Sequence, residues 1–371
     1  ILTIKISLFV DSMEFKDILI EWYGKNGRDL PWRRTSNPYH IWVSEVILQQ
    51  TRVNQGMAYY SRFIEQFPTI QDLANASLDQ VMKAWQGLGY YTRARNLKAG
   101  AQQVMDEYGG ELPKTFRELL KIKGLGTYSA AAVASFAFGE AVPAIDGNVY
   151  RILARVFGIF SSTDTTAARH DFFDLAAELL DKVNPAAFNQ AIIDFGALVC
   201  TPRIPKCVDC PFNGFCYASR NNLVYSLPVK GKRVVPRDRF FNYVMVKFHG
   251  DTFVNRRNTN DIWHSLFEFP MIETPTQLSP DELFSMQEWK DLLGQNDVRI
   301  LNISDPIKHQ LSHLTIWARF IIVEISKASY RLKTDFCRVD IGKLHELSVP
   351  RLIDLYMAAE PTEKYFTNAG H

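Results

Sequence analysis

Four cysteines near the middle of the chain, Cys200, Cys207, Cys210 and Cys216, follow the pattern C-x6-C-x2-C-x5-C and make up all but one of the five cysteines in 371 residues. Cysteines used as small core residues do not bunch in this way. The spacing lets four thiolates converge on one centre, as a tetrahedral zinc or a cubane iron–sulfur cluster requires. Two disulfides, or plain buried thiols, are the alternative; disulfides belong to oxidising compartments, and the rest of the chain has an intracellular character. Softness and spacing do not choose between zinc and iron–sulfur. Cys337 stands apart and reads as a buried thiol.

Two acidic residues are the other candidates for chemistry. Within HIWVSEVILQQTRV, residues 40–53, a helix would surround Glu45 with Ile41, Trp42, Leu48 and Gln49 at its i±3 and i±4 positions. That apolar setting predicts a desolvated glutamate with a raised pKa, available as an acid, although a glutamate at the rim of an amphipathic helix would read the same way. Asp146, in AIDGNVYRILARVFG, sits at the natural N-cap of the next helix, where a cap alone is worth ~1 kcal/mol. The helix dipole and N–H donors are expected to hold it ionised, as a permanently charged acid able to stabilise a cation. Glu45 and Asp146 together are two carboxylates pushed toward opposite protonation states.

The elements that must carry these groups are helical up to about residue 220. Phe15, Ile18, Leu19 and Trp22 recur at helical spacing. Ser77 to Gln80 and Thr115 to Glu118 read as capping boxes; Gly109-Gly110 and Gly139 read as helix stops. In LLKIKGLGTYSAAAVASFAFG a helix ends, Gly124-Leu125-Gly126 turns tightly, and an alanine-rich helix follows. Its N-terminal N–H groups suit an anion such as a DNA phosphate, with Lys121 and Lys123 beside them. From about Phe240 the pattern changes to alternating strands, FFNYVMVKF and LTIWARFIIVEI. Between the two regions, SLPVKGKRVVPRDR carries Lys230, Lys232, Arg233, Arg237 and Arg239. It reads as a linker, either a solvated connector or a basic strap along phosphates. Net charge is only +2, so any nucleic-acid partner must be argued from local patches. No apolar run reaches the ~18 residues of a membrane span. Met13 precedes the first helical pattern, which makes residues 1–12 an expected upstream extension.

The order SEVILQQT, WQGLGYYTRARNL, KGLGTYSA, IDGNV and the four-cysteine loop resembles the helix–hairpin–helix DNA glycosylases, and within them the adenine DNA glycosylases of the MutY type. The resemblance implies a mainly α N-terminal catalytic region over residues 13–220, with two helical lobes and an iron–sulfur loop at about 200–216. A basic linker over 221–239 and an α+β nudix-like domain over 240–371 follow. It implies a [4Fe–4S] cluster on the four cysteines, with Arg203 and Lys206 facing the DNA backbone. The expected partner is double-stranded DNA carrying 8-oxoguanine:adenine or guanine:adenine mispairs, bound by a monomer in a bacterial cytoplasm with no membrane association. Glu45 would protonate N7 of the flipped adenine; Asp146 would stabilise the oxocarbenium ion or capture it; Tyr128 and Asn148 would position Asp146 and the sugar. Tyr128 stands where endonuclease III-type enzymes carry a Schiff-base lysine, which implies a monofunctional enzyme; Lys123 precedes the turn and should point elsewhere. Trp32, Arg33, Leu48, Val53 and Gln190 correspond to adenine-pocket positions. Gln50, Thr51, Leu88 and Tyr90 match positions that enter the stack around the orphaned base, and Gly124 and Gly126 match the phosphate-binding hairpin.

In the C-terminal region, NRRNTNDIWHSLFEFP resembles a nudix core, but the stretch after Pro270 lacks the glutamate-rich helix that holds magnesium. A binding domain without pyrophosphatase activity is expected. Leu311-Ser312-His313 stands where the family carries Phe-Ser-His for reading 8-oxoguanine; Ser312 could still hydrogen-bond the lesion, and Ile122-Lys123 replaces a frequent proline ahead of the hairpin. Three other readings have specific counter-evidence: Tyr128 opposes a lyase acting on damaged pyrimidines, the intact Glu45 and Asp146 oppose a redox-sensing DNA-binding module, and the missing glutamate helix opposes a nucleotide pyrophosphatase.

Overall fold

The computed structural model describes residues 2–231, 235–294 and 297–359, with side chains from Glu14 onward. Among the described residues, twelve α-helices come first: α1 (Leu2–Asn26), α2 (Pro38–Leu48), α3 (Val53–Gln66), α4 (Ile70–Asn75), α5 (Leu78–Ala84), α6 (Thr92–Tyr108), α7 (Phe116–Leu119), α8 (Thr127–Phe138), α9 (Gly147–Phe157), α10 (Thr166–Leu179), α11 (Pro185–Leu198) and α12 (Tyr217–Arg220). There follow β1 (Arg237–Lys247), β2 (Asp251–Arg256), β3 (Phe267–Glu268), β4 (Met271–Thr274), α13 (Pro280–Ser285), α14 (Gln287–Leu293), β5 (Arg299–Ile303), β6 (Ile307–Gln310), β7 (Leu314–Glu324), α15 (Tyr330–Asp335), β8 (Cys337–Asp340) and α16 (Arg351–Ala359). Met13 lies inside α1. No helix among the described residues is long and apolar enough to cross a membrane.

Two compact units emerge: residues 1–76 with 96–232, and residues 77–95 with 233–371. The helical unit is built on caps that the sequence states openly. Ser77 and Gln80 do form a reciprocal capping box. Thr115 caps α7, but the Glu118 carboxylate accepts a hydrogen bond from the Thr115 hydroxyl at 2.7 Å rather than completing the box. Gly109 and Gly139 end α6 and α8 in the left-handed region. The core between α1, α9, α10 and α11 holds Phe15, Leu19, Ile152, Phe172, Phe188 and Phe195. Helix α2 is buried along most of its length, so its β-branched residues, poor helix formers when exposed, are overruled by packing. The alanines of α8 keep that helix slim where α2 lies against it.

In the second unit β1 and β7 pair in parallel at the centre of a mixed sheet. Strand β4 flanks β1, while β6 and β5 pair antiparallel with successive halves of β7. Their unbroken apolar runs follow from two covered faces. Phe241, Tyr243 and Met245 point into one core with Phe320, Leu352 and Tyr356; Val244 and Val246 point into the other with Trp289, Leu292 and Leu332. This is the α+β architecture expected. Residues 77–95 join it through Lys83, whose Nζ reaches the carbonyls of His345 and Leu347, through Gln86 on Asp354, and through an Arg256–Asp79 ion pair. The linker expectation is corrected at its end: Arg237 opens β1, and Arg239 is held by Asp261 and Glu273, so it is no free phosphate strap. Lys232 and Arg233 lie outside the described residues. Cys337 is exposed, against the expectation of a buried thiol, because it opens the short edge strand β8.

Candidate active site and cysteine loop

Asp146 caps α9 as its position predicts. Its Oδ1 accepts from the backbone N–H groups of Asn148 (2.8 Å) and Val149 (2.9 Å), and its Oδ2 from Asn148 Nδ2 (2.6 Å). Glu45, on the buried helix α2, is 6 % exposed and accepts the hydroxyl of Tyr128, the second residue of α8. Asn37 and Pro38 start α2, and Gln49 Nε2 ties its end to Ser129 of α8 at 3.0 Å. Glu45, Tyr128, Asp146 and Asn148 therefore open into a single cleft of about 680 Å³, whose walls include Trp32, Arg33, Leu48, Gln50, Thr51, Val53 and Gln190. That volume is in the range of small-molecule sites.

Burial pushes the Glu45 carboxyl up to about 7, against the Tyr128 hydrogen bond and the Arg33 charge. Asp146 corrects the expectation of an acid held low. Burial raises it as well, and its backbone and Asn148 hydrogen bonds and the Arg151 charge offset that only in part. Both carboxyls are pushed the same way. They differ in donors, three hydrogen bonds and a helix N-terminus for Asp146 against a single phenol for Glu45.

Behind the cleft wall stand Asp194, Arg151 and Gly196, which sequence reasoning passed over. Asp194, fully buried on α11, accepts from both Arg28 and Arg33. Gln190, one turn earlier on the same face, accepts the Tyr23 hydroxyl at 2.9 Å. Arg151 donates from Nη2 to Asn148 Oδ1 (2.7 Å) and to Gly196 O (2.7 Å), and from Nε to Cys200 O (2.6 Å). The close approach of α11 to the start of α9 needs Gly196, since a Cβ there would meet Asn148 Cβ at 2.5 Å. The one signal in sequence is the arginine-rich RDLPWRR, which has only Asp29 beside it, and Asp29 pairs with Arg34.

The hairpin glycines are unlike each other. Gly124 adopts φ +90° and lies against the Asn96 backbone, so it is needed twice over. Gly126 caps α8 with φ −83° and nothing near the place of a Cβ, so neither backbone strain nor packing requires it. Lys123 is exposed and is not among the cleft residues. In the second unit, Tyr90 is half-exposed at φ +48° after the left-handed Gly89, whereas Leu88 is buried at 9 %. Ser312 and His313 are exposed in the turn between β6 and β7, while Leu311 packs against the core beneath.

The four cysteines of residues 200–216 carry no disulfide and are all half-buried. They line one small cavity together with Val199, Phe212 and Val224. Burial, reinforced by the neighbouring thiols, pushes Cys210 up to about 12, and Cys207 and Cys216 rise for the same reasons. Thiolates crowded in this way would need a cationic centre to hold their charge. Arg155 supplies part of it, with Nη1 3.4 Å from Cys200 Sγ. Phe212, stacked on Phe15 at 4.8 Å, anchors the loop in the helical core. As arranged, no group of three or more His, Cys, Asp or Glu side chains among the described residues is ready to hold a metal ion.

A family model described as HhH-GPD superfamily base excision DNA repair protein matches residues 43–176, which contain Glu45, the hairpin and Asp146. An adenine DNA glycosylase of Buchnera aphidicola subsp. Baizongia pistaciae is 33 % identical over 86 % of this chain and 88 % of its own length. The adenine DNA glycosylase of Homo sapiens is 44 % identical over 57 % of this chain, a match that spans 41 % of the human protein. Among solved structures, a thermostable thymine-DNA glycosylase superposes on 57 % of this chain and 97 % of itself, with a TM-score of 0.53 and 29 % identity. With an acid, a capped carboxylate and a hairpin standing in one helical unit, and relatives matched along most of its length, the chain belongs to the adenine DNA glycosylase family of the helix–hairpin–helix base-excision repair superfamily.

Proposed function

We propose that this protein removes adenine paired with 8-oxoguanine or guanine in duplex DNA and leaves an abasic site. The observation that carries the reading is the convergence of Glu45, Tyr128 and Asp146 in one cleft of nucleoside size. The glycosidic bond is inaccessible inside a duplex, so the nucleotide must be flipped out at a cost of a few kcal/mol. Adenine leaves poorly until protonated. Glu45, neutral because it is desolvated, donates its proton to N7 of the base, and the C–N bond electrons depart with the protonated adenine. The sugar becomes an oxocarbenium ion, which Asp146 faces as the carboxylate with the fuller set of donors. Water then adds, directly or after capture by Asp146, in the division of labour of two-carboxylate glycosidases. Trp32, Arg33, Leu48, Val53 and Gln190 form the adenine pocket; Gln50, Thr51, Leu88 and Tyr90 occupy the gap beside the orphaned base; Gly124 and Gly126 receive a phosphate. For Leu88 this requires a change from the buried position described above.

Tyr128 is a phenol and forms no Schiff base, so strand cleavage should need alkali. The four thiols of Cys200, Cys207, Cys210 and Cys216 line one small cavity beside Arg155 and in chemistry are the donor set of a [4Fe–4S] cluster, which would have to draw them closer than they stand. When bound, the cluster would cross-link the loop over residues 200–216 and present Arg203 and Lys206 toward a phosphate backbone, without entering the bond-breaking step. Ser312 and His313 are the proposed readers of 8-oxoguanine on the nudix-like unit, acting in a monomer.

The test is single-turnover cleavage of a duplex with one 8-oxoguanine:adenine pair, scored as alkali-dependent breaks in the adenine strand. Glu45→Gln and Asp146→Asn should each lose at least about 100-fold in rate while binding the duplex. Wild-type rates in either variant would sink the assignment.

A further inference from the structure

Asp194 is a buried acid that the proposed reaction does not use, and it is more elaborately bound than a staple between two helices needs. Its Oδ1 accepts from Arg28 Nε (2.9 Å), Arg28 Nη2 (2.5 Å) and Arg33 Nη2 (2.8 Å). Its Oδ2 accepts from Arg33 Nη1 (2.7 Å) and from the Arg28 backbone N–H (2.9 Å). Arg33 Nη1 also donates to Arg28 O at 3.0 Å, which closes the network. The Asp194 side chain is fully buried, yet both arginines it grips are among the residues lining the cleft that holds Glu45.

We propose that Asp194 is a positioning residue for base excision: it locks the Arg33 guanidinium in the pocket wall and cancels charge that would otherwise strip the proton from Glu45. The proposal rests on the reading of Glu45 as the acid. Three charged or titratable groups face Glu45 from the elements around it: Arg33 from the turn before α2, the Tyr128 hydroxyl from α8, and Asp146 from the start of α9. Arg151 stands behind Asp146. Arg33 is the one cation of the three, and a bare guanidinium beside a desolvated carboxyl favours its ionised form. With Asp194 in place, two arginines share one buried negative charge and the wall carries a single net positive charge. With asparagine there it would carry two, and Arg33 would lose the carboxylate that aligns it. Arg33 bears the mark of the clamp: burial lowers its pKa, but the Asp194 hydrogen bonds and charge, together with the Tyr23 and Glu45 charges, raise it above the ordinary value.

The experiment is a pH–rate profile of single-turnover excision for wild type, Asp194→Asn, Arg33→Gln and the double variant. Glu45 works protonated, so the rate falls on the alkaline side. In Asp194→Asn that limb should move down by about one pH unit, a loss of about tenfold at pH 8 but less than about threefold at pH 6. Arg33→Gln should move it up, and in the Arg33→Gln background Asp194→Asn should move it down by less than it does in wild type, because the charge then uncovered is on Arg28, which does not act on Glu45 as Arg33 does. Equal loss at both pH values would make Asp194 a structural tie only and overturn the proposal. A limb that moves as far without Arg33 would overturn it too. Should Asp194→Asn not fold, Arg33→Gln carries the test, and an unmoved limb in that variant refutes the idea. Wild-type activity in Glu45→Gln would instead remove the underlying reading, which keeps the two failures distinct.

Discussion

Replacing Glu45 with glutamine should stabilise the protein while abolishing its chemistry, and the gain should depend on pH. Burial raises the Glu45 carboxyl from 4.5 to about 7 in the folded state. At about 1.4 kcal/mol for each tenfold, ionising it inside the fold is about 3 kcal/mol less favourable than ionising it in the unfolded chain. Because the folded value lies above the unfolded one, Glu45 contributes its full stability below pH 4.5. That contribution is lost as the pH rises through 7. Glutamine has nothing to lose in that window. The assay is urea unfolding of wild type and Glu45→Gln at pH 5 and pH 8, followed by far-UV circular dichroism. Between the two pH values the advantage of the variant should grow by about 2–3 kcal/mol. An advantage that is the same at both would mean that Glu45 is solvated and already ionised at pH 5, and the account of it as an acid would fall with that result.

The remaining predictions are narrower. Gly124→Ala forces an L residue to φ +90° against Asn96 and should cost about 1–3 kcal/mol in thermal unfolding. Gly126→Ala should leave the melt within about 0.5 kcal/mol yet weaken duplex binding, as a phosphate approaching that open position requires. Arg151→Met removes a donor from the carbonyls of Cys200 and Gly196 and from the Asn148 amide oxygen; it should cost about 3 kcal/mol and lower the absorbance per chain of the proposed iron–sulfur cluster. Ser312→Ala should reduce the preference for 8-oxoguanine:adenine over guanine:adenine by about 1 kcal/mol, read from competition between the two duplexes.

What was legible in the sequence is what local chemistry decides. The Ser77 and Asp146 caps, the glycine stops and the two apolar strands each depend on neighbours a few residues away, and each stands where the pattern put it. What was hidden depends on partners far along the chain. Asp194 meets its arginines across more than 160 residues of sequence. Nothing in AIIDFGALV distinguishes it from an aspartate on a solvated face. The attachment of residues 77–95 to the second unit is hidden for the same reason, since Lys83, Gln86 and Asp79 are ordinary surface types until Leu347, Asp354 and Arg256 arrive. The expectation for Cys337 went astray because exposure is settled by tertiary packing rather than by residue type.

The correction at Asp146 changes how the two acids must be told apart. If one were buried and the other solvated, burial alone would sort them, as in a site with one apolar and one polar carboxyl. Here burial lifts both. The distinction then has to come from hydrogen bonding, which favours the charged form wherever the donors are fixed N–H groups. Asp146 has two backbone donors that exist only because α9 starts there, and an amide that Arg151 orients through Asn148 Oδ1. Glu45 sits in the body of α2, where backbone N–H groups are already spent within the helix. A carboxyl at a helix start and a carboxyl at mid-helix thus meet different sets of donors in the same cleft, and the position of each in its helix, which the sequence does state, is what the proposed division of labour rests on.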